Sequence, residues 1–272
     1  MKKYYLIGEN TDNSLSPEIH NWIYRFCNIQ ATYSSKNIDP SEFDSAVNNI
    51  YHDIKSNNIN GLNITNPYKS RMTSPSIIIS EDSNRINAIN CIYKDRNKTI
   101  GDNTDWYGFI KSLEYNNINL EKYNIVILGA GGGSRAIMYG LQKLGINFFE
   151  IYNRSNIEKI NINNISYDIL DIKDINRINY SDLFIINCLP SNIIDNNPIL
   201  SENILANTHV FYDLNYHQSK IHTILKSKDI QVINGLDMLI YQAIKSIELW
   251  SSREIVKEVN IENIKKYLLE SK

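Results

Sequence analysis

Cysteine, proline and glycine are all scarce in this 272-residue chain, at 3, 6 and 11 residues. The three cysteines, Cys27, Cys91 and Cys188, are odd in number, scattered and without a CxxC spacing. That excludes a disulfide framework and suits a reducing, cytoplasmic setting. The five histidines are equally dispersed, so no zinc-ligand spacing is legible and no metal is expected. No apolar run approaches the length needed to span a bilayer, and the opening Met1 to Gly8 is too short for a signal-peptide core. A formal net charge of -2 with no basic block argues against nucleic acid as a partner. The expected partner is therefore a small molecule, with the chain working as a monomer or homodimer. Asn and Ile are abundant, so an isolated Asn carries no information and counts only inside a longer pattern.

The elements alternate. Lys3 to Ile7 reads as a strand, followed by a helix from about Pro17 to Cys27 with Ser16 at its N-cap and Pro17 at N1. Ala31 to Asn37 suggests a strand, Pro40 to Lys55 a helix, and Gly61 to Thr65 a short strand. Cys91 to Thr99 reads as a hairpin turning at Asp95-Arg96-Asn97. Further on, Asn124 to Leu128, Phe148 to Tyr152, Leu183 to Asn187, Val210 to Asp213 and Gln231 to Ile233 form a series of strands separated by helical or loop stretches. Such a series implies right-handed βαβ units and a parallel sheet. Leu236 to Ser251 and Ile261 to Leu269 read as closing helices. The expectation is an α/β protein of two domains, with boundaries near Asp105 and Gly235 and the last helices returning to the first domain.

Two polar segments carry the chemistry. Asn63-Ile64-Thr65-Asn66-Pro67-Tyr68-Lys69 ends in an amine, and Gly101-Asp102-Asn103-Thr104-Asp105 ends in a carboxylate. A Lys beside an Asp can move a proton to or from an alcohol and hold a hydroxyl in place. Downstream, Gly129-Ala130-Gly131-Gly132-Gly133 follows a strand and opens a helix, the context in which glycines admit a pyrophosphate to the helix N-terminus. The next strand ends in Asn153-Arg154-Ser155. There Arg154 suits a 2′-phosphate, pointing to NADP, whereas an acid would select NAD; Glu150 is the rival but lies inside the strand. Ser14 and Ser16, just before a helix, could hold a carboxylate, although Ser16 also reads as a plain cap. Gln242 shares a helix face with Met238, and could close over a substrate or sit in the core as one satisfied amide. Tyr216 could be a site phenol or one more surface tyrosine.

In their order these segments, with Asn87-Ala88-Ile89-Asn90 and Gly235-Leu236-Asp237-Met238-Leu239 preceding Gln242-Ala243 and Trp250, resemble the shikimate dehydrogenase family over nearly the whole chain. The resemblance implies an N-terminal α/β substrate domain, residues 1–104 with 236–272 returning, and a Rossmann-like doubly wound NADP-binding domain, residues 105–235. It implies reversible NADPH-dependent reduction of 3-dehydroshikimate to shikimate, on the route to chorismate. Lys69 would then be the catalytic proton-transfer residue, oriented by Asp105. Ser14 and Ser16 would bind the substrate carboxylate, and Asn63, Thr65, Asn90, Asp105 and Gln242 the ring hydroxyls, with Tyr216 nearby. Gly129, Ala130, Gly131, Gly132 and Gly133 with Asn153, Arg154 and Ser155 would hold NADP, and Leu214, Gly235 and Glu81 would surround the nicotinamide end. Cys188-Leu189-Pro190-Ser191 departs from the family's usual Ala-Thr and small residues beside the cofactor. Two other readings compete: a shikimate/quinate dehydrogenase accepting NAD, and a non-catalytic NADP-binding regulatory protein. The second predicts damage at the proton-transfer pair, yet Lys69 and Asp105 are both present.

Overall fold

A computed structural model of the chain describes residues 1–72, 76–155, 157–196 and 199–270. It divides into two compact units, Met1–Gly108 with Leu239–Lys272, and Phe109–Met238. Both are α/β. Among the described residues no helix is long and apolar enough to cross a membrane.

The first unit is built on strands β1 (Lys2–Gly8), β2 (Ala31–Asn37), β3 (Gly61–Ile64), β4 (Ile78–Ile79), β5 (Cys91–Asp95) and β6 (Lys98–Asp102), in the order β2-β1-β3-β5-β6-β4. β1 is parallel to β2 and β3, while β5 is antiparallel to β3 and β6. β3 is buried along its whole length, so its C-terminal end delivers the Asn63–Lys69 segment from inside the sheet. The β5–β6 hairpin turns where expected, with Arg96 accepting a positive φ of 55°. Helices α1 (Ser16–Phe26), α2 (Phe43–Lys55) and α3 (Glu81–Ile86) belong to this unit, and α4 (Asp105–Tyr115) begins in it. Asp105 therefore falls in the first unit, where its side chain is held by Asn90 and Lys69; the unit boundary comes after Gly108.

Ser16 is not the cap of α1. Leu15 occupies that position and Ser16 is the first helical residue. The reason lies two residues upstream, where the Ser14 hydroxyl accepts a hydrogen bond from the Ser16 N–H at 3.2 Å and so does the work of a cap. α2 starts at Phe43 rather than at Pro40, because the Asp39 carboxylate takes the Ser41 N–H at 2.8 Å and turns the chain before the helix can begin.

The second unit holds β7 (Asn124–Leu128), β8 (Glu150–Asn153), β9 (Lys159–Ile162), β10 (Ile165–Asp171), β11 (Leu183–Asn187), β12 (Thr208–Asp213) and β13 (Gln231–Asn234). Their order is β13-β12-β11-β7-β8-β10-β9, all parallel except β9. From β7 the chain winds outward through β8 and β10, then returns to β11 and winds the other way, a Rossmann-like doubly wound sheet. The order reverses between β7 and β11, and in such sheets the crevice at the strand C-termini of that reversal is where ligands bind. β11 is buried throughout and β7 beyond its first residue, as strands covered on both faces require. Helices α5 (Gly132–Lys143), α6 (Ser191–Asn196), α7 (Glu202–Ala206) and α8 (Lys220–Lys226) connect them. The β9–β10 hairpin was not legible as strands. Its turn is Asn163-Asn164, both at positive φ, and in so Asn-rich a chain the pair carried no signal. The strand read from Phe148 begins only at Glu150, leaving Phe148 exposed.

Helix α9 (Leu236–Ser251) passes from the second unit into the first between Met238 and Leu239, and α10 (Ile261–Glu270) closes the chain. In the first unit Trp250 stacks on Tyr4 at 4.3 Å and donates its indole N–H to the Ile92 carbonyl at 3.0 Å. This fit requires a glycine on β3, since a Cβ at Gly61 would lie 2.5 Å from the Trp250 indole nitrogen and 2.7 Å from the Ile92 carbonyl oxygen. Gly61→Ala should accordingly destabilise the fold by about 1–3 kcal/mol as indole and strand move apart. A lowered urea midpoint checks this, and an unchanged midpoint would mean that the indole can shift freely.

Candidate active site

The Lys69 side chain is set by what precedes it. Tyr68 is fully buried, stacks on Phe43 at 4.2 Å and donates its hydroxyl to the Ile38 carbonyl at 2.6 Å. The Lys69 carbonyl accepts the Ile89 N–H at 2.8 Å. With its backbone held on both sides, Lys69 reaches Asp105, and the ammonium lies 2.7 Å from Oδ2. Its side chain is 19% exposed and that of Asp105 7%, so the pair borders solvent on the amine side.

Asp105 is the first residue of α4, where the helix dipole favours a negative charge. Its backbone N–H donates to the Asn103 side-chain oxygen at 3.0 Å, and its Oδ1 accepts from the Asn90 amide at 2.7 Å. Asn90 also accepts the Thr104 N–H on its side-chain oxygen at 2.7 Å and donates to the Thr104 hydroxyl at 3.1 Å. One amide thus ties the β5 approach to the start of α4. Burial raises the pKa of neighbouring Asp102, which accepts from the Ser80 hydroxyl and the Asn103 N–H.

Asn63 continues this network. Its amide nitrogen donates to the Asn90 carbonyl at 3.1 Å and to the Ser246 hydroxyl at 2.9 Å, and its oxygen accepts from the Tyr33 hydroxyl at 2.9 Å. Both amide hydrogens of Asn63 and of Asn90 are therefore taken by the protein, and both residues are buried. Gln242, on α9, donates to the Leu239 carbonyl at 2.9 Å and accepts from the Thr104 hydroxyl at 3.4 Å. The first unit thus gathers Asn63, Lys69, Asn90, Asp105 and Gln242 in one hydrogen-bonded cluster. Thr65, partly exposed, donates its N–H to the Ile7 carbonyl, and Ser14 and Ser16 stand at the start of α1. Glu81 lies in the same unit, exposed on α3 and ion-paired with Arg85. Tyr216 lies in the second unit, its ring 4.5 Å from that of His217.

In the second unit the glycine loop sits at the sheet's reversal point. Gly129 adopts a φ of 100°, accessible to glycine without strain, and donates to the Tyr152 carbonyl at 2.7 Å. A Cβ at Gly131 would meet nothing within 4 Å, which leaves open space over the loop for a pyrophosphate. Ser134 closes the first turn of α5 by donating to the Gly131 carbonyl at 2.7 Å. Leu214 packs over this loop: its side chain lies 3.2 Å from where a Cβ at Gly133 would sit, and its carbonyl leaves no room for a Cβ at Gly235. Asn153, Arg154 and Ser155 line an open cavity at the end of β8, and Glu158 and Asp171 line it too. The residues fit a dinucleotide. Sequence reasoning missed the buried cluster of Asn187, Asp213 and His222 beside this loop, because a strand-end Asn, a strand-end Asp and a helical His match no motif.

His20 is wholly buried, with the surroundings of a core residue. Its ring stacks on Tyr33 at 3.8 Å, and Nδ1 lies 2.8 Å from the Ser16 carbonyl. Complete burial lowers its pKa from 6.5 to about 3. The folded state therefore keeps the ring neutral while the unfolded chain protonates it below pH 6.5, so stability is full above that pH and falls as acid is added. Between pH 7 and 5 this linkage removes about 2 kcal/mol. His20→Phe, whatever its stability at pH 7, should show a pH dependence flatter by that amount in urea titrations. Parallel curves for the two proteins would assign the acid sensitivity elsewhere.

Comparisons with known proteins point one way. Residues 6–92 match the model of the shikimate dehydrogenase substrate binding domain. A shikimate dehydrogenase (NADP(+)) of Clostridium botulinum is 38% identical over 251 residues, covering 90% of this chain and 95% of the relative. The crystal structure of shikimate dehydrogenase 1 from Peptoclostridium difficile superposes with a TM-score of 0.83 at 30% identity, covering 94% of this chain and 93% of that one. A shikimate dehydrogenase solved in complex with NADP+ superposes with a TM-score of 0.81 at 27% identity, covering 100% of this chain and 96% of that one. With 38% identity across nine-tenths of its length, the chain belongs to the shikimate dehydrogenase family.

Proposed function

We propose that this chain catalyses the reversible reduction of 3-dehydroshikimate to shikimate with NADPH. The observation that carries this reading is the Lys69–Asp105 pair, 2.7 Å apart and bordering solvent, in a chain whose second unit leaves open space over a glycine loop. Held by the glycine loop and Arg154, NADPH would supply the hydride for the carbonyl carbon. Lys69 gives its proton to the oxygen of that carbonyl as it becomes a hydroxyl, and takes it back in the reverse direction. Asp105 holds the ammonium on one oxygen and is itself held by Asn90 on the other. Ser14 and Ser16 bind the substrate carboxylate, and Thr65 and Gln242 meet ring hydroxyls. Asn63 and Asn90, whose amide hydrogens are already taken, hold these groups in place.

Gly129 to Gly133 receive the pyrophosphate, and Arg154 with Ser155 takes the 2′-phosphate. A second reading, acceptance of NAD as well, is favoured by one observation: Glu158 and Asp171 line the same cavity as Arg154 and oppose its charge. Turnover of shikimate and of quinate with NADP and with NAD, followed by NAD(P)H absorbance, separates the readings. No turnover of shikimate with either cofactor would overturn both.

Lys69→Ala should lower kcat by about 10²–10⁴-fold, the usual effect of removing a general acid–base group. Shikimate KM should move little, because the serines, Thr65 and Gln242 still bind it. Near-normal kcat in a variant with an unchanged circular dichroism spectrum would take Lys69 out of the mechanism. Arg154→Ala should raise the KM for NADP about tenfold, the effect of one lost charge-assisted hydrogen bond, and leave that for NAD nearly unchanged. An equal change with both cofactors would remove Arg154 from 2′-phosphate recognition.

A further inference from the structure

Beside the glycine loop lies a buried acid that the proposed chemistry does not use. Asp213, the last residue of β12, is wholly buried, and each of its carboxylate oxygens is held. Oδ2 accepts from His222 Nε2 of α8 at 2.7 Å. Oδ1 accepts from the Asn187 amide at 2.9 Å, the Asn215 backbone N–H at 3.0 Å and the Asn215 amide at 2.7 Å. Asn187, at the end of β11, accepts the Leu189 N–H at 3.1 Å, and the Asn215 amide donates to the Leu189 carbonyl at 2.9 Å. The Leu214 N–H donates to the Asn187 carbonyl at 2.9 Å, and the Gly235 N–H to the Asn215 carbonyl at 3.2 Å.

This one carboxylate therefore joins the end of β11 to the turn that follows β12 at the carboxyl end of the sheet, and the Asn215 backbone links that turn to the end of β13. Those segments form the walls of the glycine loop. The Leu189 side chain lies 3.2 Å from where a Cβ at Gly129 would sit, and Leu214 lies 3.2 Å from the same point at Gly133. A shift of either leucine changes the space over the loop directly. A buried carboxylate keeps its place only while its donors are complete, since losing one partner leaves a charge that neither water nor protein compensates. His222 is the only one of the three donor residues that comes from a helix rather than from the strand ends themselves. It braces the cluster from outside.

We propose that Asp213 and His222 form a positioning pair for the bound dinucleotide, with His222 holding the carboxylate that sets Leu189 and Leu214 against the glycine loop. The proposal rests on the reading of that loop as the dinucleotide site. It is tested on the full chain by titrating NADPH fluorescence, alongside shikimate KM at saturating NADP and the melting temperature. His222→Leu should raise the NADPH Kd about tenfold, the effect of one mis-set contact in the loop, and leave shikimate KM within about twofold. His222→Gln, whose amide can donate to the same oxygen, should recover most of the affinity. If His222→Leu does not fold, the double variant Asp213→Asn with His222→Leu buries no charge and should show the same weakened NADPH binding. Unchanged Kd in a folded His222→Leu or double variant overturns the pair's role. So does a loss in the Gln and Leu variants that merely follows their melting temperatures. No NADPH binding by the unmodified chain would overturn the dinucleotide reading and this role together, whereas normal binding with insensitive variants would overturn the role alone.

Discussion

Asp105 is the side chain on which the first unit's polar network turns. A carboxylate this enclosed is costly unless its oxygens are satisfied, and here one takes the Asn90 amide and the other the Lys69 ammonium. Each partner is then fixed by something larger. Asn90 is bound through its carbonyl to Asn63 and through its amide to Thr104, and Lys69 follows a tyrosine locked into the core. The result is a lysine whose head group has a defined address while its remaining surface faces solvent. That combination of fixed position and access is what the proposed proton transfer requires.

The second unit contains the same kind of solution for a different end. Asp213 is again a buried acid at the end of a strand, and again its donors come from neighbouring chain segments. In the first unit the acid holds the Lys69 ammonium; in the second it bonds Asn187 and Asn215, beside the glycine loop. Such networks are firm because each member is satisfied only in one arrangement, and an unmet donor or acceptor in the interior costs more than a met one contributes. Each of the two clusters gathers groups from several chain segments around a single carboxylate.

The elements that were legible in the chain are those with a strong local signal. Continuous apolar runs marked β7 and β11, and the long helix α9 was bounded correctly from Leu236 to Ser251. The misread elements had weak or competing signals. Ser16 looked like a cap by residue type, yet Ser14 upstream takes its N–H. The β9–β10 hairpin turns on two asparagines that could not be told from the abundant asparagines elsewhere. α4 begins at Asp105 itself, where the sequence showed only the end of a polar motif.

The sequence by itself determined the elements with strong local patterns, the presence of a lysine and an aspartate in two polar motifs, and a glycine loop between strand and helix. These depend on residues near one another in the chain, where periodicity and turn chemistry act. Only the tertiary structure decided that Asn63 and Asn90 have no free amide hydrogen, and that Glu81 is paired with Arg85 on an exposed helix. It alone brought Asn187, Asp213 and His222 around one buried charge. Whether a polar side chain is free or occupied depends on partners far away in the chain, as Ser246 is 183 residues from Asn63. Spacing along a chain carries no record of such meetings, because they exist only once the sheet has aligned its strand ends and the helices have packed against it.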